Sequence, residues 1–118
     1  MDSTYYATRR KEEGDTTDTN RVNNFVGPVL RWGDVAQALV IAIKEDNPDK
    51  QITIDEHTSY IRIQAENECI VRRETIERAL GRAFQMQELE LSMSSFAGQI
   101  ETSTNYMRFY LNKRDVAS

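Results

Sequence analysis

The longest apolar stretch of the chain lies between Asp34 and Asp46, where Val35, Ala36, Ala38, Leu39, Val40, Ile41, Ala42 and Ile43 are interrupted only by Gln37. Val35, Ala38, Leu39, Ala42 and Ile43 recur at helical spacing, so the pattern predicts an amphipathic helix of about three turns over 34–46. Asp34 is the candidate N-cap, and Asn47-Pro48 stops the run because proline cannot continue a helix. Burying that stripe is worth on the order of 10 kcal/mol gross, comparable to the net stability of a small domain. Val40 and Ile41 fall beside it, as a second buried edge or as a surface for a partner.

Before this helix, residues 25–31 (FVGPVLR) favour β structure, and Pro28 makes them an edge strand or one broken by a bulge at Gly27. After it, Ile52 and Ile54 alternate over 51–55, Ile61 and Ile63 over 60–64, and polar residues 56–59 join them as a hairpin. A third strand is predicted over 68–71. A weaker helix follows over 72–82, with Ile76, Ala79 and Leu80 on one face, Arg73 with Glu77 and Glu74 with Arg78 at i,i+4, and Gly81 at its stop. No good cap precedes it. A helical turn over 85–88 leads to a strand in which Leu89, Leu91 and Met93 alternate, then to the small-residue stretch 94–98. Residues 99–101, a turn over 102–105 and a strand over 106–111 complete the pattern.

The two halves repeat. Tyr60-Ile61-Arg62-Ile63 is echoed by Tyr106-Met107-Arg108-Phe109, and Gln51-Ile52 by Gln99-Ile100. The expected fold is therefore α+β, a duplicated β-α-β-β unit with antiparallel sheet packed on two helices, spanning 24–118 after a flexible tail over 1–23. That tail is polar and charged, with only Tyr5, Tyr6, Ala7 and Val22 to bury, which does not offset the entropy of ordering it.

Composition narrows the function. A net charge of -4 over 118 residues argues against a nucleic-acid module. The chain lacks a run of about 20 apolar residues and a signal-peptide core, so a cytoplasmic protein is expected. The single cysteine, Cys69, excludes an internal disulfide and reads as a small buried hydrophobe. The single histidine lies in Asp55-Glu56-His57, which reads as a solvated turn rather than a metal site, and the dispersed glycines form no nucleotide-binding loop. Without an evident catalytic constellation the chain reads as a binding module. Ser94, Ser95 and Gly98 line a small pocket or a flat surface that another protein approaches closely. A small-ligand-binding regulatory domain is the alternative.

Several motifs carry a family resemblance: Val26-Gly27-Pro28-Val29 with Arg31, Asp46-Asn47-Pro48, Tyr60-Ile61-Arg62-Ile63-Gln64-Ala65-Glu66, Leu80-Gly81-Arg82, Phe84 and Met86-Gln87-Glu88-Leu89-Glu90. The most distinctive are Ser95-Phe96-Ala97-Gly98-Gln99-Ile100 and Arg108-Phe109-Tyr110. Over about residues 24–113 the chain resembles the cofactor-free effector, or coupling, proteins of soluble bacterial diiron multicomponent monooxygenases, closest to those of toluene or toluene/o-xylene systems. It departs from them at Val71-Arg72, where they start the second helix from a Thr cap. The resemblance implies a non-catalytic protein that binds no metal or cofactor and is monomeric when free. It implies docking on the active-site subunit of a diiron hydroxylase, in competition with a ferredoxin or reductase, tuning oxygen activation, substrate access and the coupling of electron use to aromatic hydroxylation. Carried over by motif, the docking candidates are Val26, Gly27, Pro28, Val29 and Arg31 with Ser95, Phe96, Ala97, Gly98 and Gln99. On this reading a bulky residue at Gly98 harms coupling more than folding. If Gly27 and Gly98 serve turns and Phe96 is core, the order reverses.

Overall fold

The computed structural model describes residues 24–111, so the expected tail over 1–23 and the end of the chain lie outside the described residues. In order they form β1 (Phe25–Arg31), α1 (Asp34–Asp46), β2 (Thr53–Glu56), β3 (Tyr60–Glu66), β4 (Glu68–Arg72), α2 (Arg73–Leu80), α3 (Met86–Ser92), β5 (Met93–Ala97), β6 (Gln99–Thr102) and β7 (Tyr106–Tyr110). All strand pairs are antiparallel. They make two sheets, β2-β3-β1-β5 and β4-β7-β6. The expected α+β class is observed, with the sheet in two parts and a third helix.

The duplication is visible in the register. In each half the strand before the helix pairs with the return strand of the hairpin: Leu30 faces Ile61 as Val71 faces Met107, and Arg31 faces Tyr60 as Arg72 faces Tyr106. The return strands bury alternate residues, Ile61 and Ile63 in one and Met107 and Phe109 in the other. Both hairpin turns close with the same backbone bond, His57 N–H to the Tyr60 carbonyl at 2.8 Å and Ser103 N–H to the Tyr106 carbonyl at 2.9 Å. One detail of the expected repeat is corrected. Ile54 faces Ile63 and Ile100 faces Phe109, so the partner of Ile100 is Ile54 rather than Ile52. Inter-strand pairing fixes this alignment, which two loops of different length hide in the sequence. Between α2 and β6, α3 and β5 have no counterpart in the first half.

Three local expectations are also corrected. β1 is an interior strand, because the stretch read as a small-residue connection is a strand, β5, that covers its edge. The ladder to β3 runs through Val26–Ala65 and Val29–Arg62 and skips Gly27 and Pro28, so the missing proline N–H is accommodated there. The helical turn expected over 85–88 runs on to Ser92, so 89–92 are helical rather than extended: Met86 and Leu89, three apart, are buried while Leu91 is exposed, and Glu, Gln, Leu and Met favour helix. Asp34 is the first helical residue, not the cap. The N-cap is Gly33, whose carbonyl accepts from Gln37 N–H at 3.0 Å, and Asp34 contributes as a negative charge near the positive end of the helix.

On α1 the buried residues are Ala36, Ala38, Leu39, Ala42 and Ile43; Val35 and Val40 pack partly buried against the core, and Ile41 is 54% exposed. These side chains join Leu30, Ile61, Ile63, Val71, Ile76, Phe84, Leu89, Met107 and Phe109 in one core that draws on both halves.

The end of α1 fastens the halves together. Asn47, 6% exposed, donates from Nδ2 to the carbonyls of Ile43 and Ile70, both at 2.7 Å, and its Oδ1 accepts from Ile70 N–H at 3.1 Å. Asp46 accepts from Arg72 N–H at 2.8 Å and from the Thr75 hydroxyl at 2.9 Å. The start of α2, which has no side-chain cap of its own, is thus served from α1, and Arg73 N–H goes to the Asn105 carbonyl at 2.8 Å. Of the two expected pairs on α2, Arg73 reaches Glu77 at 3.9 Å, while Arg78 turns to Glu45 of α1 at 2.6 Å. Replacing Asn47 by Ala removes the side-chain partner of the Ile70 N–H and carbonyl, while the Ile43 carbonyl keeps the backbone N–H of residue 47. It is expected to cost about 2–3 kcal/mol in urea denaturation, and a loss within the range of ordinary surface changes, about 0.5 kcal/mol, would show that the contact does not hold the halves together.

Candidate docking surface

The two groups of candidate residues are adjacent, because β5 lies against β1: Gly27 faces Ala97, Pro28 faces Phe96 and Val29 faces Ser95, with an irregularity before Leu30–Met93. They differ in exposure. Val26, Gly27, Pro28 and Val29 are buried, so their role is to carry β5 rather than to touch a partner, whereas Arg31 is exposed. Its guanidinium donates from Nη2 to the Leu91 carbonyl at 2.6 Å, tying the end of β1 to the last turn of α3. On β5 and beyond it, Ser95, Phe96, Gly98 and Gln99 are exposed and Ala97 is half-buried. As the outer strand of its sheet, β5 also presents backbone groups along its free edge.

Two candidates have structural duties as well. Phe96 is 41% exposed, yet its ring packs 5.9 Å, centroid to centroid, from the buried Phe109. Gly98 is where the chain leaves one sheet for the other, with a φ of 94° that L-residues rarely adopt. A Cβ there would stand 2.6 Å from Val26 Cγ1 and 2.9 Å from the Tyr110 carbonyl oxygen. The expectation that bulk at Gly98 spares the fold is therefore overturned.

The charged groups nearby are structural. On β6 and β7, Glu101 accepts from the Tyr106 hydroxyl at 2.5 Å and from Arg108 at 2.9 Å, and Arg108 also pairs with Glu68 while its guanidinium lies 4.2 Å from the Tyr110 ring centre. The Tyr106 bond and then Arg108 hold the Glu101 carboxyl below its usual range. His57 stacks on Tyr60 at 4.3 Å and pairs with Asp55 at 3.1 Å, inside the turn it was expected to belong to. Among the described residues no group of three His, Cys, Asp or Glu side chains is placed to hold a metal, and no helix is long and apolar enough to cross a membrane. An open hollow of about 390 Å³ beside Phe25 is lined by Asp49, Lys50, Glu66 and Asn67 among others, a polar site and not the apolar pocket between helices and sheet that a ligand sensor needs. Three exposed large apolar residues escaped the motif reading and the helix pattern, Phe25, Trp32 and Leu91. Leu91 was hidden by its assignment to a strand, where alternation points it inward.

This fold is that of monooxygenase regulatory proteins. A chain of the phenol hydroxylase–regulatory protein complex superposes with a TM-score of 0.66 at 32% identity, over 75% of this chain and 99% of that one. The soluble methane monooxygenase regulatory protein B matches in fold, with a TM-score of 0.57 at 22% identity over 82% of this chain and 74% of that one. In sequence, the alkene monooxygenase effector subunit of Xanthobacter autotrophicus is 44% identical over 74% of this chain and 86% of its own length. The phenol 2-monooxygenase stimulatory component DmpM of a Pseudomonas species is 38% identical over 58% of this chain and 73% of its own. Residues 24–110 match the model of the MmoB/DmpM family, and the chain belongs to that family. It is accordingly an effector-type, non-catalytic component of a monooxygenase system, as its sequence motifs led us to expect.

Two outcomes follow from these side chains. Gly98→Ala is expected to destabilise the protein by about 2 kcal/mol, and Gly98→Trp by more; a Gly98→Trp variant of unchanged stability would show that the contacts with Val26 and Tyr110 relax freely. Burial pushes the Cys69 thiol up from 9.0 to about 12, against a weaker downward pull from Lys50. The folded state thus favours the neutral thiol. Its stabilising contribution is complete below about pH 9 and is lost as pH rises toward 12. Cys69 should resist thiol reagents at about pH 8 while folded and react fully once unfolded in guanidinium, and rapid reaction of the folded chain would contradict its burial.

Proposed function

We propose that this chain docks on the hydroxylase component of a diiron monooxygenase through the exposed strand β5 and the adjoining Arg31, and that docking tunes oxygen activation, substrate access and the coupling of electron use to hydroxylation. The observation that carries the reading is the placement of Ser95-Phe96-Ala97 on the exposed outer strand β5, with Gly98-Gln99 leading out of it into β6, within the family-matched core. A relative of this fold is a chain of a phenol hydroxylase–regulatory protein complex, which supports a hydroxylase as the partner. A component without chemistry of its own acts by binding one conformation of that partner more tightly than another, and its effect is bounded by the difference.

The free protein is a cytoplasmic monomer on this reading, with residues 1–23 as an appended tail, and the domain runs from residue 24 onward. The substrate is an aromatic hydrocarbon; the relatives named for alkene and phenol systems support a monooxygenase of this broad kind and not the toluene-type specificity. Effector and electron donor compete for one face of the hydroxylase. Product formation by the reconstituted system should then rise with effector to a maximum near one per active site and fall at excess, with the fall relieved by more reductant. A plateau that excess effector never depresses would refute the shared face, and absence of any stimulation would refute the effector reading.

A further inference from the structure

Three runs of nine or more residues carry no charged side chain, 22–30, 35–43 and 91–100, in a chain of which 29% is charged. The first two supply β1 and α1, whose apolar residues are mostly buried, Phe25 and Ile41 being the exposed ones. None of the third is fully buried: Leu91 is 75% exposed, Phe96 41%, and the other eight range from half-buried to exposed. This run spans the end of α3, all of β5 and the entry to β6, and α3 with β5 is the part that breaks the duplication. The repeated scaffold pairs β1-β3-β2 and β4-β7-β6 alike without it, so its uncharged, water-facing side chains are not demanded by that plan.

Trp32 lies at the Leu91 end of the run. Leu30 faces Met93 across the β1–β5 ladder, Arg31 holds the Leu91 carbonyl, and Trp32 N–H donates to the Ser59 carbonyl at 3.0 Å, which fixes its backbone against the turn between β2 and β3. The indole is 38% exposed and is the only tryptophan of the chain. Trp32 follows Arg31, whose guanidinium is committed to the carbonyl of the exposed Leu91, and tryptophan and arginine are residue types that concentrate binding energy at interfaces.

We infer that Trp32, flanked by Leu91, is the apolar anchor of the docking surface, entering an uncharged pocket on the hydroxylase component at the Met93 end of β5. The inference rests on the docking reading above and adds residues that lie outside its motifs. Continuity selects the hydroxylase as occupant, because Trp32 adjoins, through Arg31 and its bond to the Leu91 carbonyl, the exposed residues of β5 that the docking reading uses. A second copy of this chain is disfavoured by its net charge of -4.

The test uses the full-length chain, the purified hydroxylase component of its own system, and the variants Trp32→Ala and Leu91→Ser. Ile41→Ser is the control, removing from α1 an apolar side chain whose 54% exposure lies between those of Trp32 and Leu91. Melting temperatures are measured first. Trp32→Ala is expected to weaken hydroxylase binding about tenfold and Leu91→Ser about threefold, with Ile41→Ser unchanged. The ratios to wild type should be the same at about 0.1 and 0.5 M salt, since no charge is removed. Chain labelled with 5-fluorotryptophan should show its single fluorine resonance shift on adding hydroxylase, a readout that does not depend on any variant folding. Wild-type chain that fails to bind hydroxylase would overturn the docking reading itself. Wild-type binding with an unmoved resonance and unweakened variants would overturn the anchor alone. A dimer of the free chain that Trp32→Ala dissociates, with hydroxylase affinity intact, would reassign the anchor to self-association.

Discussion

The paired polar residues at the end of α1 are the contact on which the rest of the structure depends. The Asp46 and Asn47 side chains are almost wholly covered, that of Asp46 being 5% exposed, and all their side-chain hydrogen bonds except that to Ile43 reach the second half of the chain. The long helix of the first unit is thereby locked to β4 and to the start of α2. Apolar packing between two similar units leaves their relative setting loosely specified, since sliding by one helical turn still buries much the same area. Two buried polar side chains that must each find particular N–H and C=O groups remove that freedom, because any other setting leaves them unsatisfied.

With the halves fixed, α3 and β5 have a defined place to go. β5 pairs with the edge of β1 opposite β3, and Gly98 carries the chain across to the second sheet between Val26 and the Tyr110 carbonyl. The same segment thus packs on the core through Met93, with the Phe96 ring reaching Phe109, and offers an uncharged exposed surface through its other residues. The inner duty explains why β1 and β5 motifs go together in the sequence even though only β5 is available to a partner. Buried neighbours such as Val26 and Val29 set the position of the strand that makes the contact.

Much of this was legible in the residues alone. The helix over 34–46, both hairpins, the burial of Cys69 and the internal repeat followed from hydrophobic period and turn chemistry, which are local. What was not legible depends on pairing at long range. A proline in FVGPVLR argues for an edge only as long as nothing is known to lie beside it, and β5 was disguised by small residues that lack a strand signature. Leu89 and Leu91 alternate too briefly to distinguish strand from helix, and burial of Met86 with Leu89 decides it. Gly33 displaced Asp34 as the cap because capping depends on backbone geometry at a single residue. The docking candidates came from family motifs and not from periodicity, and motifs do not separate residues that touch a partner from those that hold up the ones that do.

That separation bears on how a protein without catalytic groups changes another's chemistry. To move a hydroxylase from about 1% to about 99% in a reactive conformation, an effector must bind that conformation about 5.5 kcal/mol more tightly than the other. Surface ion pairs contribute about 1 kcal/mol or less each and are screened by salt, so a rim of charges supplies the difference poorly. Apolar anchors that fit a pocket present in only one conformation supply several kcal/mol through few side chains. On the proposed reading, an uncharged strip on a rigid strand suits that task better than a flexible charged one: the strand does not adjust to follow the partner, so the partner must adopt the conformation that fits it. The covalent and polar constraints that fix β5, from Gly98 back to Asp46 and Asn47, then belong to the function as much as the exposed residues do, because a β5 free to shift would bind both conformations equally and select neither.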